Sequence, residues 1–176
     1  MPNTYTLIQS VTVGSGGAAS IEFGSIPQTY TDLVVVVSAR STRPATANND
    51  DIIIEPNGAT TSLSARYLVG TGSAVASGTD TKILAGYMTA AGATASVFGN
   101  SSIYIPNYAG STNKSFSSDG VSENNATAVG MAIQASLWSS TVAITSLVLK
   151  SYTGNNFAQY SSCVPNTRTV PKNFPV

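Results

Sequence analysis

Tyr5-Thr6-Leu7-Ile8-Gln9-Ser10-Val11-Thr12-Val13-Gly14-Ser15-Gly16-Gly17-Ala18-Ala19-Ser20-Ile21-Glu22-Phe23 decides the fold class. Tyr5, Leu7, Val11 and Val13 fall on one face of an extended chain, and Thr6, Ser10 and Thr12 largely on the other. This period of two marks a half-buried strand. Gly14 to Gly17 supply residues that tolerate positive φ, and Ile21 and Phe23 resume the alternation, so the stretch predicts a β-hairpin.

The same texture continues outward. Leu33-Val34-Val35-Val36-Val37 is a β-branched run suited to a strand covered on both faces or lying centrally in a sandwich. Pro44 and the small polar residues from Ser41 to Asn49 read as a loop, and Ile52-Ile53-Ile54 restarts a strand that Pro56-Asn57-Gly58 turns. Further strands are expected at 63–69, 83–88, 102–105, 129–138, 142–150 and 157–162. No segment sustains a helical period; the alanines of 89–96 could make at most a short helical turn. The expectation is an all-β protein, an antiparallel β-sandwich of jelly-roll-like type occupying 1–163. Residues 164–176 hold three prolines and are expected to run as an extended arm outside the sheets, with Val170, Phe174 and Val176 as apolar anchors either on a neighbouring subunit or back on their own domain.

Composition narrows the chemistry. Charged residues are 9% of the chain, against roughly 25% in an ordinary soluble domain. Eight basic and eight acidic side chains cancel, so neither nucleic acid nor an anionic membrane surface is an expected partner. A near-neutral, hydroxyl-rich surface favours lasting contact with copies or neighbours. The longest apolar run, Leu33 to Val37, is far short of the roughly 20 residues that span a bilayer, and the amino terminus shows no basic residue followed by a signal-like apolar stretch.

The chain contains no histidine and one cysteine, Cys163. Ser-His-Asp and Cys-His mechanisms and Cys/His zinc sites therefore have no residues to build them. An acid pair could still cleave a glycoside, but no spacing singles one out. Catalytic, cofactor and metal sites are all expected to be absent. Cys163 reads as a small buried residue.

Four other patterns carry a functional and a plainer reading. Asn48-Asn49-Asp50-Asp51 with Glu55 could supply oxygen ligands to calcium, but lacks EF-hand spacing and reads first as a solvated turn entering a strand. Gly14-Ser15-Gly16-Gly17-Ala18-Ala19 fits the glycine pattern of dinucleotide sites without the helix that must follow. Asn100-Ser101-Ser102, Asn113-Lys114-Ser115 and Asn125-Ala126-Thr127 match the glycosylation pattern, as triplets in an Asn/Ser/Thr-rich chain will by chance. Tyr104, Tyr108, Trp138, Tyr152 and Tyr160 could form a sugar-stacking platform, with core packing the expected role of Trp138.

Tyr5 to Gly17, followed by Ile26-Pro27-Gln28-Thr29-Tyr30-Thr31-Asp32-Leu33, resembles the opening of small virion-associated β-domains of tailed phages, especially marine phages and cyanophages. The likeness covers roughly the first quarter of the chain, and the sequence continues past the closing strand where related ones end. The resemblance implies a virion structural protein: a capsid decoration or cement protein, self-associating as a homo-oligomer such as a trimer and contacting the major capsid protein. The alternative it implies is a tail-fibre or receptor-binding domain that recognises host glycans.

Overall fold

The computed structural model describes residues 5–44, 46–123 and 130–168. Among them the chain forms thirteen strands and no helix, arranged as two packed antiparallel sheets. The strands are β1 (Tyr5–Leu7), β2 (Val11–Thr12), β3 (Ser20–Phe23), β4 (Asp32–Ala39), β5 (Asn49–Pro56), β6 (Leu63–Gly70), β7 (Val75–Asp80), β8 (Ile83–Thr89), β9 (Gly99–Ile105), β10 (Lys114–Ser122), β11 (Gly130–Trp138), β12 (Leu147–Ser151) and β13 (Ser162–Arg168). The large sheet runs β1-β13-β4-β9-β10-β11-β6-β7, with β2 also paired to β13, and the small sheet runs β3-β12-β5-β8.

The two orders share a logic. β2 continues into β3, β4 into β5, β8 into β9 and β12 into β13, each crossing from one sheet to the other, and the four crossings lie in the same lateral order in both sheets. The sandwich is thus a four-stranded ribbon folded over on itself. Bridges Ala18–Phe157, Ser41–Phe157 and Arg40–Thr89 carry the pairing through the crease. There the Arg40 guanidinium donates to the carbonyls of Ala93, Thr94 and Val97, holding the 90–98 crossing in place without any helix.

Between the folded halves lies the core. Leu33, Val35, Val37, Ile103 and Ile105 from the large sheet meet Ile21, Phe23, Ile52, Ile54, Leu147 and Leu149 from the small one, all buried. Burial of each such side chain contributes about 1.5–3 kcal/mol, which is what fixes the register of strands that alternate so strictly. Trp138 and Cys163 belong to this core, and burial pushes the Cys163 thiol up to about 12.

Beyond the ribbon the large sheet extends through β10, β11, β6 and β7, and the edge strand β8 lies directly over it. β8 is buried along its whole length. Close approach is possible because the facing positions are small: a Cβ on Gly99 would fall 2.9 Å from the Met88 Cα, and one on Gly130 would fall 2.8 Å from the Tyr87 ring. Large-sheet hydroxyls then serve β8 carbonyls, Ser118 Oγ donating to Leu84 (3.1 Å) and Ser101 Oγ to Tyr87 (3.2 Å). They satisfy backbone groups on a strand that has no neighbour on that side.

Several expectations are corrected. Residues 5–23 are not a hairpin: β1 and β2 pair with β13, β3 pairs with β12, and the Gly14–Gly17 turn carries the chain between sheets so that Val13 and Ile21 both reach the core. Tyr5 and Leu7, expected to be half-buried, are exposed. The valine run is central, but only Leu33, Val35 and Val37 are buried, while Val36 is exposed on the opposite face. Residues 164–168 do not leave the sheets: β13 is an interior strand between β1/β2 and β4. Pro165 is tolerated because its carbonyl accepts from Ile8, so its side lacking an N–H faces the break between β1 and β2, where no ladder bond is lost. The expected strand at 157–162 shrinks to a bridge at Phe157, that at 142–150 begins at Leu147, and 89–96 forms turns after β8. β7 and β10 were not expected at all.

Candidate functional site

Cross-strand register places the exposed apolar side chains on one surface, the outer face of the large sheet. Val164, Val36, Ser102, Asp119, Ile133, Leu68 and Ser77 form one row across it. The next row holds Ser38, Asn100, Val121, Met131, Gly70 and Val75. Directly paired residues point the same way, so these side chains are neighbours. Val75 is 76% exposed, Ile133 68% and Met131 62%. Leu68, Met131, Ile133 and Val121 line a groove of 320 Å³ on this face. Leu137, Tyr5 and Leu7 add to the same surface; elsewhere the large apolar side chains exposed among the described residues are Val142, Tyr152 and Tyr160. Water-facing apolar residues scattered singly need no explanation, but a continuous sheet face does.

Two opposite charges flank β11 on that face. Asp119 projects from β10 and Arg66 from β6, on either side of β11, and both are exposed. Neither forms an ion pair among the described residues, where the salt bridge present is Lys150–Glu55 at 2.7 Å.

A second feature is polar. Asp51, Tyr67, Val69, Asp80, Leu84, Tyr87, Gln134 and Tyr152 line a half-enclosed pocket of 200 Å³, drawn from both sheets where β8 overlies the extension. Burial, then the charges of Asp50 and Asp80, push the Asp51 carboxyl up to about 6, with Arg43 opposing. Burial likewise pushes the Tyr87 phenol up to about 12. Tyr152 Oη donates to Asp80 (3.0 Å), which with the negative charge there raises the Tyr152 pKa, and the Lys82 ammonium lies 4.0 Å from the Tyr152 ring centroid. Gln134 is buried, its side-chain amide hydrogen-bonded to Ser118 Oγ (2.9 Å).

The candidates named from sequence fall as follows. Asp50 is not part of a solvated turn: it is fully buried in β5, and its carboxylate accepts from Ser41 Oγ (2.7 Å), Ser151 Oγ (2.7 Å), Thr153 Oγ1 (2.9 Å) and the Asp51 N–H (2.9 Å). Glu55 is taken by Lys150, and no group of three acidic or thiol side chains suited to a metal occurs among the described residues. The proposed aromatic platform is dispersed. Tyr108 and Trp138 are in the core, Tyr104 donates to Asp32 (2.8 Å), Tyr160 is exposed in a crossing, and Tyr152 alone reaches the pocket. Gly17 sits in a crossing at positive φ, where a Cβ would fall 2.6 Å from the Phe157 carbonyl oxygen. Asn100 is on the large sheet's outer face and Asn113 is exposed; Asn125 to Thr127 and the anchors Val170, Phe174 and Val176 lie outside the described residues.

Sequence reasoning missed Tyr67, Tyr87, Asp80 and Gln134, which come from four strands. It also missed the outer face, whose signal was present: Met131, Ile133, Ala135 and Leu137 alternate with Ala132, Gln134 and Ser136, so the larger apolar set points away from the core. No protein-family model matches the chain, and no curated protein matches it.

Proposed function

We propose that this chain is a non-catalytic structural protein of a phage particle, a jelly-roll-like capsid decoration or cement protein. It associates with copies of itself and stabilises the head by bridging neighbouring capsid subunits. The observation that carries the assembly reading is the apolar outer face of the large sheet. Leaving Met131, Ile133, Leu68 and Val75 in water forgoes burial that association would recover at about 25 cal/mol per Å². The virion setting rests on the resemblance of residues 5–33.

A second copy of the chain is the occupant this face fits. With a two-fold axis along β11, β10 of one copy overlies β6 of the other, which brings each Asp119 towards an Arg66 around a centre of Ile133 and Met131. The face is self-complementary in charge as well as apolar, and pairing across it would be less screened than on an open surface.

Sedimentation of the full chain over a range of concentrations tests the assembly reading. A dimer or larger species is expected, with Ile133→Asp shifting it to monomer while the far-UV spectrum stays that of β-sheet. A monomer at all concentrations would refute self-association. Particles assembled without the protein are expected to lose their contents at lower temperature; unchanged particles that fail to adsorb would refute the cement role.

A further inference from the structure

The pocket between β8 and the sheet extension has no part in assembly through the outer face. We propose that it binds a single neutral pyranose ring, with the ring packed on tyrosine and its hydroxyls hydrogen-bonded to Asp51, Asp80 and Gln134.

Asp50 and Asp51 make the argument by contrast. The Asp50 carboxylate is saturated by three hydroxyl donors from Ser41, Ser151 and Thr153. Its neighbour Asp51 points to the other side of the strand, lines the pocket, and receives no hydrogen bond on its carboxyl from any described residue. What Asp51 lacks is what Asp50 has, a set of neutral O–H donors, and a sugar carries them. Gln134 lines the same pocket at 3% exposure; its amide is hydrogen-bonded to Ser118 Oγ (2.9 Å), and an amide has more donor and acceptor capacity than that one contact uses.

The remaining walls fit the same chemistry. Tyr67, Tyr87 and Tyr152 offer aromatic surface beside polar tips, which suits a ring with an apolar face and a hydroxyl rim. The volume of 200 Å³ is below the roughly 300 Å³ at which sites for drug-sized ligands begin, so one ring is accommodated and not a chain. Two carboxylates disfavour an acidic sugar. A cationic ligand is less suited, because the Lys82 ammonium already lies against Tyr152 at the rim.

At ordinary ligand efficiency a single ring binds in about the millimolar range. The test is a titration of the isotope-labelled full chain, followed by amide chemical shifts, with the methyl glycosides of glucose, galactose, mannose and N-acetylglucosamine, and with glucuronate as the acidic comparison. At least one neutral glycoside is expected to give saturable shifts centred on Asp51, Asp80 and Gln134. Asp51→Asn and Tyr152→Ala, both folded by the same spectra, are expected to weaken it by about tenfold. Absence of saturable shifts with all four, shifts that persist unchanged in both variants, or equal binding of glucuronate would overturn the proposal. None of these results bears on self-association, which is read separately by sedimentation.

Discussion

Gly86 of β8 and Gly120 of β10 lie back to back where the small sheet's edge rests on the large sheet: a Cβ on Gly120 would fall 2.7 Å from the Gly86 Cα and 2.7 Å from the Tyr87 amide nitrogen. Both obstacles are backbone, so neither can swing aside. Gly120→Ala is expected to lower stability by about 2–3 kcal/mol through overpacking, measured by urea unfolding. Gly14→Ala, with nothing within 4 Å of the added carbon, is the matched comparison and should change stability by less than about 1 kcal/mol.

Asp50 joins β5 to the segment after β12 and to the crease at Ser41 through hydroxyl donors. Asp50→Ala would remove the acceptor of three hydroxyls at once, two of them, on Ser41 and Ser151, buried. A loss of about 3 kcal/mol or more is expected in denaturant unfolding. Ser41→Ala alone should cost less, about 1–2 kcal/mol, because the carboxylate keeps its other donors.

Asp51 makes stability depend on pH with a definite sign. Its carboxyl titrates near 3.8 when free and at about 6 in the folded chain, so between those values the folded state holds the proton more tightly. Stability contributed by this group is therefore full below about pH 4 and falls as pH rises to about 6. Asp51→Asn should remove that decline and raise stability at pH 7–8 by roughly 1–3 kcal/mol, as thermal unfolding across pH 4–8 would record.

Charge exchange on the outer face tests the geometry of association. Arg66→Glu places like charges opposite Asp119 of the second copy and is expected to weaken self-association by about tenfold. Arg66→Glu combined with Asp119→Lys restores opposite charges and should recover most of the loss in sedimentation equilibrium, a coupling that independent surface effects would not produce.

Fold class and most strand positions are legible in the residues alone. Alternation such as that from Met131 to Trp138 is a local property, since successive side chains in an extended chain must point to opposite faces. It did not reveal β10, where Lys114-Ser115-Phe116-Ser117-Ser118-Asp119 carries few apolar residues, because that strand faces the backbone of β8 and needs small side chains there instead of large ones. Which side of an alternating strand is inside depends on the partner sheet: in β11 the larger apolar side chains, Met131 and Ile133, are exposed, and Ala132 and Gln134 occupy the inner face.

Pairing partners depend on contacts far apart in the chain. A turn such as Gly14–Gly17 permits a hairpin and equally permits a crossing, and the choice depends on β12 and β13, more than a hundred residues away. The pocket is of the same kind, because Asp51, Tyr67, Asp80, Tyr87, Gln134 and Tyr152 are scattered along the chain and meet only where one sheet closes over the other. Local geometry sets what a strand is; long-range burial sets where it goes and which side chains it brings together.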